Sequence, residues 1–183
     1  MNILLGVTGS VAATLTPKLV QGFQVCDHTV QVVATQSSKY FFSPSSLGVK
    51  VWLDGYEWLG VEYQKGQHIA HIDLTKWADV LVIAPLSANT MAKLANGLCD
   101  NLPTCVFGAW DQTKPVVLAP AMNSNMWTNP VTRRHMQALS ELVTYGLRLK
   151  FASPIEKTLA CCDTGIGAMA EIHTIIDTVT SFS

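Results

Sequence analysis

ADVLVIAPLSANT, Ala78 to Thr90, decides the fold. After Asp79 it is an unbroken apolar run, Val80 to Leu86, of mostly aliphatic residues. It is too short for a core helix, and it reads as a strand buried on both faces. Pro85 is expected to stop that strand. Ser87, Asn89 and Thr90 follow at once, and one of them is expected to cap the next helix. Several polar groups crowded beyond a buried strand also suit the edge of a planar, heteroatom-rich ring.

Working outward, three more runs share this form. NILLGV opens the chain, TVQVVAT covers Thr29–Thr35, and KPVVLAP covers Lys114–Pro120. LRLKFA (Leu147–Ala152) alternates in polarity and is expected nearer an edge. Helices are predicted between them, at Val11–Gly22, Thr90–Leu98, Pro130–Val143 and Ala170–Val179. Asn129 is the expected N-cap of the third, with Pro130 in its first position. Phe42–Gln67, with Gly, Pro and several aromatics, reads as a loop or lid. Alternating strands and helices predict an α/β fold: a three-layer, Rossmann-like (flavodoxin-like) parallel sheet with helices on both faces. The length of 183 residues fits a single domain spanning residues 1–183.

Composition narrows the partners. The chain is 49% hydrophobic and only 14% charged, with a net charge of −1. A chain this poor in charge is expected to cover part of its surface with partner subunits. Without a basic run, nucleic acid and anionic membranes are not expected partners. No apolar stretch approaches the roughly 20 residues that span a bilayer, and MNILLGVTGS reads as a strand rather than a leader. Cysteines stand at positions 26, 99, 105, 161 and 162 with no CxxC pair. Neither a zinc site nor a disulfide framework is indicated, and free thiols fit a cytoplasmic protein.

In such sheets ligands bind beyond the carboxyl ends of the strands, and each unusual motif lies at such an end. GVTGSVAA (Gly6–Ala13) offers glycine and a helix start, which suit a monophosphate or an ordinary turn. It is not GxGxxG and lacks the P-loop lysine, so it is read neither as a dinucleotide nor as an ATP site. In ATQSS, Thr35 and Ser37 reach toward the same anion or cap a helix. In PAMNSNMW, Asn123 can both donate and accept, while Met122 and Met126 pack on aromatic faces or fill core gaps. His68 and His71 precede the third strand and are either surface groups or proton carriers. His135 and His173 read as solvent-facing. LACCDTGIGAMAE joins Cys161 and Cys162 to Gly165 and Gly167, a pattern read as a mobile flap carrying a thiol or as inert buried cysteine.

Together these stretches resemble the homo-oligomeric, flavin-containing cysteine decarboxylases, and within them the branch acting on 4′-phosphopantothenoylcysteine. The likeness covers nearly the whole chain. It is densest from HIDLTKWADV through PLSANT and PAMNSNMW to LACCDTGIGAMAE. It implies FMN as cofactor, with Gly9, Ser10 and Val11 on the phosphate, and Thr35 and Ser37 beside them. Ser87, Ala88, Asn89 and Thr90 would contact the flavin, with Met122 alongside. Asn123 would hold the substrate carboxylate, His71 would be the active-site histidine, and Cys161 the proton donor. Thr158, Ala160 and Met169 would touch substrate, and no metal is implied. The implied reaction oxidises the cysteine moiety to a thioaldehyde, loses carbon dioxide and re-reduces the enethiolate, giving 4′-phosphopantetheine for coenzyme A. The family further implies a homotrimer with the flavin at a subunit boundary. Two alternatives share the fold: a phosphatase-regulating flavoprotein, which typically carries extensions absent here, and a decarboxylase of C-terminal peptidyl cysteine. One departure is visible, Cys162 where the family's flap has glycine.

Overall fold

The computed structural model describes residues 1–57, 62, 64–158 and 164–182. Six strands form one parallel sheet: β1 (Asn2–Val7), β2 (Thr29–Ala34), β3 (Val51–Leu53), β4 (Val80–Leu86), β5 (Val116–Pro120) and β6 (Leu149–Phe151). Their order across the sheet is β3-β2-β1-β4-β5-β6. This is the dinucleotide-fold order; without the three-residue edge strand β3 it becomes the flavodoxin order. Every residue of β4 and β5 is buried, as their unbroken apolar runs require.

Successive side chains of a strand point to opposite faces, and the core divides accordingly. Ile3, Leu5, Val7, Val80, Val82, Val117 and Ala119 pack against α1 (Thr16–Val25) and α7 (Ile172–Thr180), through Leu19, Phe23, Ile175 and Val179. Leu4, Leu81, Ile83, Val116 and Leu118 face the other way. They meet α2 (Ala70–Trp77), α3 (Ala88–Ala95), α4 (Leu102–Gly108) and α6 (Pro130–Glu141). The result is the expected three layers. A short helix α5 (Ser124–Thr128) precedes α6. Strands β7 (Ile155–Thr158) and β8 (Thr164–Ala168) form a separate antiparallel pair.

Several expectations are corrected. Pro85 does not end its strand: β4 runs on to Leu86, with a cis Ala84–Pro85 peptide and a register shift against β5 that absorbs the proline. The first predicted helix begins as a 3-10 turn at Val11–Leu15, and the α-helix extends to Val25. The Phe42–Gln67 segment contains β3, paired to β2 through Val32, Val33 and Ala34. Gly165 and Gly167 lie in β8, and their absent side chains allow close approach to the Ser124 side chain and the Met122 backbone respectively. His173 is exposed, whereas His135 is half-buried.

Candidate active site

The polarity of a parallel sheet determines what gathers at each end. The β1, β2, β4 and β5 exits all open on the carboxyl edge. Helices that lead into a strand run antiparallel to it, so α2 begins at that edge too and brings His71 there in its first turn. The strand order reverses between β1 and β4, which marks the crevice where such folds bind ligands.

Hydrogen bonds join the exits. The buried Thr8 hydroxyl, just past β1, donates to the Pro85 carbonyl at 2.7 Å and accepts the Ser87 N–H at 2.8 Å. Ala121 N–H donates to Leu86 C=O at 3.0 Å, joining the β4 and β5 exits. Ser10 reaches from the β1 exit to the Ala121 carbonyl at 3.4 Å. The β2 exit closes the ring: a Cβ on Gly9 would run into the side chain of Ser37, whose hydroxyl lies 3.2 Å from that of Thr35. Thr8 carries the β1–β4 link and was not singled out in the sequence, although it stands within the GVTGS turn.

The remaining sequence-predicted residues fall around this ring. Ser87 caps α3, accepting the Thr90 N–H at 3.3 Å and donating to the Thr90 hydroxyl at 3.2 Å. Both are buried, while Ala88 is half-buried and Asn89 exposed. Thr35 heads a 3-10 turn, yet its side chain makes no capping bond. Gly9 and Ser10 are half-buried and Val11 is exposed. Met122 and Asn123 are half-buried, and Asn123 caps α5 by accepting the Asn125 N–H at 2.8 Å. Met126 is exposed on α5.

The β7–β8 pair packs against this loop. Gly167 has φ +144°, a region that favours glycine, and a Cβ there would collide with the Met122 carbonyl. The Met122 N–H donates to Gly167 C=O at 2.9 Å. Met169, just past β8, is buried. Thr158 ends β7; its side chain, together with Ala160, Cys161 and Cys162, lies outside the described residues. No group of three or more His, Cys, Asp or Glu that could hold a metal occurs among the described residues.

The two histidines separate clearly. His68 is exposed, with Asp73 at 3.0 Å. The His71 ring is mostly buried, and its Nδ1 bonds Glu57, whose carboxylate also accepts the His71 backbone N–H at 3.1 Å. Glu57 had no sequence signal: it sits 14 residues away in a stretch of aromatics and glycine. Nearby on α4, burial pushes the Cys105 thiol up, with smaller contributions from Cys99, Glu57, Asp100 and Asp54. The edge thus gathers hydroxyls and a glycine packed against one of them at one side, capping polar groups at the crevice, and methionines with an amide at the other. That set suits a phosphorylated flat ring beside a small carboxylate.

The family model described as Flavoprotein matches residues 1–183. The chain belongs to the Flavoprotein family. It is 50% identical over 183 residues to phosphopantothenoylcysteine decarboxylase of Arabidopsis thaliana, covering 99% of this chain and 84% of that protein. It is 44% identical to the Mus musculus protein of the same name, covering 96% of this chain and 83% of that one. Among solved structures, a cysteine-to-serine variant of PPC decarboxylase complexed with pantothenoylaminoethenethiol superposes with a TM-score of 0.91 at 47% identity, covering 99% of this chain and 97% of that chain. The FMN binding protein AtHal3 superposes with a TM-score of 0.87 at 48% identity, covering 99% and 95%.

Proposed function

We propose that this Flavoprotein family member catalyses FMN-dependent decarboxylation of 4′-phosphopantothenoylcysteine to 4′-phosphopantetheine in coenzyme A synthesis. The observation that carries the reading is the closed ring of hydrogen-bonded strand exits at the switch point. It occurs in a chain whose near-full-length relatives bear that enzyme name.

FMN fits the residues present. Gly9 has no room for a side chain, because the Ser37 hydroxyl already stands where its Cβ would be; bare backbone and hydroxyls therefore meet at this exit. Gly9, Ser10, Val11, Thr35 and Ser37 would hold the phosphate, and Ser87, Ala88, Asn89 and Thr90 the ring edge, with Met122 beside it. Bound FMN supplies reversible two-electron redox at the substrate's cysteine moiety, chemistry that no side chain offers. The protein's own work is positioning and proton handling. Asn123, its amide fixed by the Asn125 N–H, holds the substrate carboxylate so that the bond to be broken is aligned. His71 exchanges a proton at the reacting end, and Cys161 returns one to the decarboxylated product. Thr158, Ala160 and Met169 contact the substrate.

We extend the reading to a homotrimer of one 183-residue flavoprotein domain per chain, located in the cytoplasm. The low charge content and the exposed Val11, Met126, Leu98 and Tyr145 support subunit contacts; light scattering should return about three times 19.9 kDa. None of the described helices is long and apolar enough to cross a membrane. The deciding experiment incubates the yellow protein with 4′-phosphopantothenoylcysteine and, separately, with a peptide ending in cysteine. Carbon dioxide from the first substrate alone is expected. Release only from the peptide, or none from a fully FMN-loaded sample, overturns the proposal.

A further inference from the structure

Glu57 is an expensive residue to bury. Its side chain is 5% exposed, and a carboxylate so placed must be paired or held by donors. Both of its oxygens are used on a single partner residue: Oε2 accepts the His71 backbone N–H at 3.1 Å, and Oε1 meets His71 Nδ1. Among the described residues no lysine or arginine pairs with it. The groups facing it do not compete for the ring. On α4, Cys105 has its thiol pushed up and so stays neutral. Asp54 is engaged by the Leu102 N–H at 2.9 Å, Asp100 by Lys93 at 2.6 Å and 2.8 Å, and Asp73 by His68.

An ionised carboxylate can only accept, so the shared proton belongs on Nδ1. In a neutral imidazole the other nitrogen is then a bare acceptor. Ile69, the N-cap residue of α2, makes no side-chain capping bond; Glu57 supplies that bond from just past the 3-10 turn (Asp54–Tyr56) that follows β3, and fixes the backbone that carries the ring. Backbone and ring are therefore held by one group.

We propose that Glu57 is the positioning residue for His71, holding its proton on Nδ1 so that Nε2 takes a proton from the substrate. This rests on the decarboxylase reading. In an acylated cysteine the thiol, ordinarily near pKa 8.5, is the weakly acidic group next to the reacting carbon. The S–H bond breaks, its electron pair stays on sulfur, and the proton moves to Nε2. The imidazolium formed is balanced by the Glu57 carboxylate, so the pair carries no net charge after transfer.

The test is a double-mutant cycle on the FMN-loaded enzyme with E57Q, H71N and both together, measuring carbon dioxide release. E57Q is expected to lower kcat about 10- to 100-fold, the scale seen when a partner that orients a metal-bound histidine is lost. KM should stay within about threefold and FMN content unchanged. On the H71N background the same substitution should change kcat less than about twofold. Equal fractional losses on both backgrounds, or wild-type kcat in E57Q, overturn the proposal. Should E57Q fail to hold FMN, E57D enters the same cycle under the same criteria, the charge being kept on an arm too short for both bonds.

A second readout needs no turnover. In nitrogen-15 histidine spectra taken where the ring is neutral, His71 should carry its proton on Nδ1, and E57A should release it to Nε2. A wild-type ring protonated on Nε2 contradicts the inference. An Nδ1 proton in a protein that releases no carbon dioxide would leave this placement standing and remove the decarboxylase reading instead.

Discussion

The two ends of the parallel sheet are made from the same strands but finish differently. At the amino end, polar groups are spent on locking elements together. Asn2 N–H donates to Asp79 at 2.7 Å and its amide to the Trp77 carbonyl at 3.0 Å. Lys114 donates to the Thr75 and Ala78 carbonyls at 2.9 and 2.8 Å, closing the end of α2 onto the start of β5. At the carboxyl end, the Thr8 bridge also locks two strands. Around it, however, stand a glycine that gives up its side chain, an exposed Asn89, half-buried Met122 and Asn123, and a histidine held by a buried carboxylate. Asn123 also caps α5 and Met122 also packs on the core, but the set as a whole goes beyond what joining the strands requires. On the proposed function, the difference separates residues that hold the sheet from residues that would face a ligand.

Substitutions can break or sharpen this contrast. The largest effect is expected at Asn123. Asn123→Asp sets like charges together at the substrate carboxylate, so carbon dioxide release should fall at least about 100-fold, equivalent to roughly 2.7 kcal/mol. FMN absorbance should be unchanged, because the residues proposed to contact the ring lie elsewhere. Normal KM in that variant removes Asn123 from the carboxylate role.

Thr8→Val comes next. It keeps the shape and deletes the bridge, leaving the buried Ser87 N–H without its acceptor. A loss of about 1–3 kcal/mol is expected in urea unfolding, with weakened FMN retention because both exits of the crevice depend on that hydroxyl. Unchanged stability would mean that water replaces the bridge.

Cys105 gives the smallest effect. Its thiol is held above the ordinary range chiefly by burial, so less thiolate exists at pH 7.5. Alkylation by iodoacetamide should be several-fold slower at Cys105 than at the exposed Cys26. The rates should converge as pH rises, because deprotonation of Cys105 then catches up. Mass mapping after timed quenching reads the order, and equal rates at pH 7.5 would show that Cys105 is neither buried nor near the Glu57 charge.

How much of this was legible in the sequence depends on what each element buries. The inner strands announced themselves because both of their faces are covered, which leaves long apolar runs with no alternation. Residues 147–152 alternate because β6 lies at the sheet edge. β3 was invisible for a related reason: it has three half-buried residues and pairs on one side only. α4 was passed over although it carries a clear start signal, an Asn101–Thr104 capping box with proline in the first turn. Its few apolar residues, among Cys, Thr and Gly, hid the period.

The site was read from where motifs fell relative to strand ends, and that logic put Gly9, Ser37 and Ser87 at one edge; Thr8, whose hydroxyl joins two of those exits, carried no signal of its own. It could not reach Glu57, because a bond across a loop between two short elements leaves no spacing rule in the chain. Nor could it tell that Gly167 makes a close backbone contact with Met122.

The central claim is that the carboxyl edge, and not the amino edge, holds the flavin. It is tested most directly by counting bound FMN per chain in two purified variants. Gly9→Val drives a side chain into Ser37 and displaces its hydroxyl, and Lys114→Met removes the lock at the opposite end. The account predicts a folded, colourless Gly9→Val protein and a Lys114→Met protein with about one FMN per chain, less stable by about 1–3 kcal/mol. Full flavin in Gly9→Val, with loss of flavin from a folded Lys114→Met, would contradict it.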